Sequence, residues 1–205
     1  MPGRKGIDGN LATLTTSECV HSLCKQIRQH VQESQRIVLI GHSLAGIVMG
    51  AVAQEMGAHR VESVIYLASC VPPAGDSVVD ALRFPLGSAV RRIIGRTPVI
   101  AIVPSWIVRV FFCNRATSHQ RALIRAHFRA ESGHLLTCPV TASMPASVPT
   151  AWILPKHDRA MPPSAQRKFM AAMGGVDRTI TMDAGHEVML THPDPLVAAI
   201  LDLTG

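Results

Sequence analysis

The chain has 205 residues, 47% of them apolar and 17% charged, and its 20 Lys and Arg against 14 Asp and Glu give a net charge of +6. This balance excludes an intrinsically disordered chain, and the 15 Gly and 14 Pro follow no collagen-like period, so a single packed domain over residues 1–205 is expected. The positive excess lies in arginines dispersed from Arg4 to Arg178, with no tract alternating basic and aromatic residues; it reads as a basic surface, not a nucleic-acid site.

At the start, Met1 to Asn10 is Gly-rich and polar and lacks the form of a signal peptide. The first strong element is a helix. Thr15 and Glu18 stand at capping-box spacing, and Val20, Leu23, Cys24, Ile27 and Val31 recur with helical period, while His21, Lys25, Arg28 and Gln32 fall on the other face. Ile37 to Ile40 is a continuous β-branched run that predicts a strand buried on both faces, ended by Gly41. Leu44 to Met56 predicts a buried helix stopped by Gly57, and Val61 to Ala68 a second buried strand.

From Cys70 to about Pro149 the pattern loosens into short, Pro-broken helical pieces, of which Ser118 to Ala130 is the clearest. The most apolar stretch there, Pro98 to Cys113, is interrupted by Pro104, Ser105 and Arg109. It is too short to span a bilayer, which takes roughly 18 to 20 uninterrupted apolar residues, so no membrane partner is expected. Regularity returns with a strand at Ala151 to Leu154, a helix from about Pro163 to Met173 closed by Gly174-Gly175, a strand at Arg178 to Met182 and a helix from about Pro195 to Leu203. Strands alternating with helices predict an α/β fold with a parallel sheet covered on both faces. The irregular segment 71–149 is then an insertion between two strands. Five cysteines with no Cys-x-x-Cys pair fit a reduced, cytoplasmic setting.

Chemistry concentrates at Gly41-His42-Ser43-Leu44-Ala45-Gly46, where a buried strand turns directly into a helix. A turn this tight strains the central residue and demands small neighbours, which Gly41, Ala45 and Gly46 supply. Ser43 would present its hydroxyl above the sheet, and the Leu44 backbone N–H would face a developing oxyanion. A hydroxyl needs a base to become a nucleophile, usually an imidazole oriented by a carboxylate. Asp158 follows the third strand and His186 the fourth, both at strand carboxyl ends and in the chain order Ser, acid, His. Asp183, Asp76 and Asp80 are alternative acids. His42 reads as a packing and hydrogen-bonding residue, and the pairs His119/His127 and His134/Cys138 lack a third ligand at metal-site spacing. No phosphate-cradling glycine loop or dinucleotide fingerprint occurs, so no metal and no cofactor is expected.

These residues resemble the α/β-hydrolase superfamily, in particular its small branch of plant methylesterases, hydroxynitrile lyases and bacterial esterases. The matching pieces are Arg36 to Gly46, Val64 to Gly75, Trp152 to Gln166 and Asp183 to Pro193, which together anchor about Arg36 to Leu203. The resemblance implies Ser43 as nucleophile, His186 as base and Asp158 as acid. A serine at the turn separates the chain from members that use an aspartate nucleophile. Glu187 stands where hydroxynitrile lyases carry a lysine, which favours ester hydrolysis. Segment 71–149 corresponds to a cap, and its Leu82, Phe84, Ile93, Ile94, Ile102, Trp106, Phe111 and Phe112 imply a small apolar ester as substrate.

The departure from that family is at the start. Its members carry several strands and an early His-Gly loop, the source of a second oxyanion donor, before the nucleophile strand; Met1 to Gln35 offers only Met1-Pro2-Gly3 with Gly6 as the tail of such a loop. Ile37 to Ile40 is then expected to lie at an exposed apolar edge. Two further expectations follow: a catalytically impaired homologue serving as a binding or interaction protein, and a homodimer whose second copy covers that edge.

Overall fold

Alternation along four parallel strands sorts the core into two layers. The computed structural model describes residues 10–82, 86–101, 103–140 and 144–205. Its main sheet consists of β1 (Ile37–His42), β2 (Val61–Leu67), β5 (Thr150–Pro155) and β6 (Arg178–Met182), in that spatial order and all parallel. Successive strand residues point to opposite faces. Val64, Tyr66, Trp152 and Leu154 therefore pack with Cys19, Cys24, Val48, Val52 and Phe169 of α1 (Thr16–His30), α2 (Gly46–Met56) and α7 (Pro163–Ala172). Ile65, Leu67, Ala151 and Ile153 face the other way, onto Val188, Leu196, Ala199 and Leu203 of α8 (Val188–Thr191) and α9 (Pro193–Thr204). Tyr66 lies beside Trp152 across neighbouring strands, and their rings stack at 5.1 Å between centroids.

Local chemistry sets the element ends. At α1 the Thr15 hydroxyl accepts from the Glu18 backbone N–H at 3.2 Å, while the Glu18 carboxylate accepts from the Thr15 N–H at 2.8 Å, which is the expected capping box. Gly57, at φ +84°, stops α2 in a backbone conformation that costs a side chain about 1 kcal/mol or more.

Two expectations need correction. The first strand runs on through Gly41 to His42 instead of ending before Gly41. Nor is it buried on both faces: Ile37, Val38 and Leu39 are half-buried and Ile40 is 44% exposed, because β1 stands at the end of the sheet and pairs, among the described residues, only with β2. This is the edge position anticipated above.

Between β2 and β5 lie α3 (Leu86–Ile94), α4 (Ser105–Ile107) continuing into a π-helical turn (Val108–Phe112), α5 (Ser118–His127) and α6 (Gly133–Thr137). A two-residue antiparallel pair, β3 (Val99–Ile100) with β4 (Glu131–Ser132), ties this segment together. Phe84, Ile102 and Met1 to Gly6, all named in the sequence reading, lie outside the described residues. No helix among the described residues is long and apolar enough to cross a membrane.

The junction of β1 with α2 leaves no room for a side chain at Gly46. A Cβ placed on Gly46 would sit 2.5 Å from the Cys70 carbonyl oxygen, a backbone atom that cannot rotate away. Gly46→Ala is therefore expected to lower stability by about 1–3 kcal/mol through local overpacking. Thermal unfolding measures this, and an unchanged melting temperature would mean that the junction can open at no cost.

Candidate active site

Ser43 follows the last residue of β1 and begins a single 3-10 turn, Ser43–Ala45, that runs directly into α2. Its φ is +54°, a conformation unusual for a residue with a side chain. The Cys70 N–H donates to the Ser43 carbonyl at 3.0 Å, and the Ser69 hydroxyl donates to the Gly41 carbonyl. Thus the end of β2 holds both sides of the turn. Gly41 and Gly46 are needed for space, since a Cβ on Gly41 would meet the Met49 side chain at 2.6 Å.

The three residues singled out by chain order converge in space. His186 Nε2 lies 2.9 Å from Ser43 Oγ, and His186 Nδ1 lies 2.8 Å from Asp158 Oδ2. An ionised carboxylate only accepts, so the imidazole proton belongs on Nδ1, leaving Nε2 to accept the Ser43 hydroxyl proton. Asp158 is 3% and His186 1% exposed. The Asp158 carboxylate also accepts from the Met161 N–H at 2.7 Å and from Gln166 Nε2 at 3.1 Å. Gln166, itself fully buried, takes the Trp152 indole N–H on its Oε1 at 2.8 Å and donates to the Met161 carbonyl at 2.6 Å. A continuous polar chain therefore runs from the Trp152 indole through Gln166, Asp158 and His186 to Ser43. In the sequence Gln166 is marked only as a polar side chain on the core-facing side of α7, three residues before Phe169.

His42 donates from Nε2 to the His186 carbonyl at 3.1 Å, with its ring tilted against the His186 ring at 4.8 Å. Burial, helped by the neighbouring His186, depresses its pKa from 6.5 to about 3. Phe112 meets the His186 ring edge-on at 5.3 Å. Two of the alternative acids are committed elsewhere: Asp80 to Ser77 and Arg91, and Asp183 to His157 at 2.6 Å and Arg115 at 3.6 Å on the surface. Asp76 offers its backbone carbonyl to Val140 N–H.

Ser43 and His186 open into a cavity of about 510 Å³. Its floor includes Leu44, Ala45 and Cys70, and its walls are largely apolar, among them Val78, Ile100, Val103, Phe112, Ile124 and Phe128. Of the apolar residues of segment 71–149 expected near a substrate, Phe112 lines this cavity. Ile93 and Trp106 instead stand 57% and 63% exposed, and Ile94 is buried within its own segment against Gly133. Glu187 also lines the cavity, where burial raises its carboxyl pKa.

A parallel sheet with a strained serine between strand and helix, and an acid and a histidine at later strand ends, defines an α/β-hydrolase architecture. The chain belongs to the alpha/beta hydrolase family, whose sequence profile matches residues 1–199. Among curated proteins it is similar to the alpha/beta hydrolase nvfD of Aspergillus novofumigatus, 22% identical over 200 residues that cover 93% of this chain and 79% of the other. It is likewise similar to the probable hydrolase R7 of a Phoma species, 23% identical over 209 residues, covering 95% and 81%. Among solved structures it resembles an extracellular alpha/beta-hydrolase from a Paenibacillus species, with TM-score 0.80, 21% identity and coverage of 96% and 82%. The methylesterase MES16 from Arabidopsis matches with TM-score 0.74, 13% identity and coverage of 97% and 81%. At such identities the structural likeness speaks for the fold.

Replacing Gln166 by Leu strands the Trp152 indole N–H and removes a donor from the buried Asp158 carboxylate. It is expected to cost about 1–3 kcal/mol for each group left unsatisfied, read by urea unfolding. His42 gives a pH test. The fold holds it neutral down to about pH 3 whereas the free imidazole titrates at 6.5, so between these values the unfolded chain binds more protons. Stability is therefore expected to fall as pH drops below 6.5, by up to about 1.4 kcal/mol per pH unit from this group. His42→Gln, unfolded in urea across that range, should lack this share of the slope.

Proposed function

We propose that this protein is a serine hydrolase that cleaves a small carboxylic ester with an apolar acyl or alcohol part, through an acyl-enzyme intermediate. The observation that carries the reading is the Ser43–His186–Asp158 hydrogen-bonded chain opening into a largely apolar cavity. Ser43 Oγ attacks the ester carbonyl carbon while His186 Nε2 takes the hydroxyl proton. The carbonyl oxygen becomes an oxyanion facing the Leu44 backbone N–H. Collapse expels the alcohol, which receives the proton from His186, and leaves the acyl group on Ser43. Water, deprotonated by His186 in turn, attacks that acyl group; the carboxylic acid leaves and Ser43 recovers its proton. Asp158 holds Nδ1–H in place and stabilises the imidazolium formed in each half.

Several features favour an ester among possible acyl substrates. Polyneuridine aldehyde esterase, a pyrethroid hydrolase and the methylesterase MES16 share the fold at TM-scores of 0.74. Glu187 supplies a carboxyl where a lyase of this architecture would have an ammonium group, and its raised pKa reflects a site that resists charge. Segment 71–149 would act as the cap, because Val78, Ile100, Val103, Phe112, Ile124 and Phe128 all come from it.

A fluorophosphonate probe is expected to label Ser43, with labelling lost in Ser43→Ala. Hydrolysis of p-nitrophenyl esters should fall on the order of 10⁴-fold in His186→Ala and Ser43→Ala and vary with acyl length as the cavity fills. A folded protein that neither labels nor hydrolyses any of these esters would refute the proposal and leave a binding role for this scaffold.

A further inference from the structure

A second concavity, of about 440 Å³, lies between α4 with its π-helical continuation and α5. Ser105, Trp106 and Arg109 face it from one helix, and Ser118, Arg121 and Arg125 from the other. The α5 members recur at i, i+3 and i+7, so they form one stripe along that helix. The opposite sides of the same two elements contribute Phe112 and Ile124 to the catalytic cavity. The two concavities are thus separated by the small core of Val108, Cys113, Ala116 and Ile124.

Three guanidinium groups bordering one groove repel one another unless something negative lies between them. No carboxylate lines the groove, and among the described residues none of the three arginines is paired with an acidic side chain. Arg121 is held in place through Nε, which donates to the Ala116 carbonyl at 3.0 Å. Burial raises the Cys113 thiol pKa at the groove floor; Arg121 and Arg125 pull against that rise, while Glu187, which lines the other cavity, adds to it. Trp106, 63% exposed, adds a broad aromatic face beside these charges.

We propose that this groove binds a small phosphorylated molecule with a planar or apolar body, its phosphate among Arg109, Arg121 and Arg125 and its body against Trp106. A carboxylate has two oxygens and one charge and is satisfied by a single arginine fork. Three guanidinium groups and two serine hydroxyls offer more donors than it can use, and a phosphate monoester, with three terminal oxygens and nearly two charges, matches them better. The indole face takes a ring by stacking. This site is independent of the ester chemistry, since none of its residues belongs to the Ser43–His186–Asp158 chain.

Phenyl phosphate, inorganic phosphate and benzoate serve as probes, titrated calorimetrically at low ionic strength. Tryptophan emission reports in parallel, because Trp106 is exposed while Trp152 is fully buried. Phenyl phosphate is expected to bind saturably at one site and more tightly than inorganic phosphate. Arg109→Gln with Arg125→Gln should weaken it about tenfold or more, as for loss of charge-assisted hydrogen bonds. Trp106→Ala should reduce it to the level of inorganic phosphate. If the double variant does not fold, Arg125→Gln alone carries the same expectation at smaller size. Absence of saturable binding, binding unaffected by the arginine substitutions, or benzoate binding as tightly as phenyl phosphate would each overturn the proposal.

Discussion

The structure depends on one backbone constraint: the chain must reverse from β1 into α2 within a few residues and leave Ser43 at the point of reversal. Its positive φ costs on the order of 1–3 kcal/mol, and the surroundings hold it there. The Cys70 N–H grips the Ser43 carbonyl, the Ser69 hydroxyl grips the Gly41 carbonyl, and Gly46 lets the helix come against the Cys70 carbonyl. Every one of these contacts joins the turn to the end of β2. The β1–β2 register, with His42 beside Leu67, is therefore part of the active-site geometry.

The opposite half of the site is fixed by burial. An Asp and a His that are almost wholly excluded from water require partners for each of their polar atoms, and two β-strand ends supply them. β5 leads to Asp158, and the next helix returns Gln166 to it; β6 leads to His186, whose carbonyl is capped by His42 from β1. His42 thus links β1 to the loop that carries His186. Because it is held neutral, it does so without adding a second charge beside His186.

The order of β1, β2 and β5 with α1 and α2 was readable because these strands are short apolar runs and these helices carry a capping box or a glycine stop. The Ser, Asp and His were readable for a related reason: they sit at fixed places relative to those elements, so placing the strands places the residues. What escaped were features created by contacts distant in sequence. The β3–β4 pair is two residues long on each side, too short to leave a period. Gln166 is marked only by the accident of Trp152 and Asp158 lying within its reach. The inner and outer faces of segment 71–149 escaped for the same reason: Trp106 and Ile93 are as apolar as Phe112, and composition alone does not tell an outer helix face from an inner one.

That last distinction bears on the electrostatics of the molecule. Beside Ser43, burial lowers the His42 pKa and raises that of Glu187. An uncharged, apolar substrate loses little hydration on entering a largely apolar cavity. Across the thin core of Val108, Cys113 and Ile124 lie Arg109, Arg121 and Arg125, none of them paired with an acidic side chain among the described residues. Helix α5 carries both environments on opposite faces, and it joins the histidine loop through Gln120 Nε2, which donates to the Leu190 carbonyl at 2.8 Å.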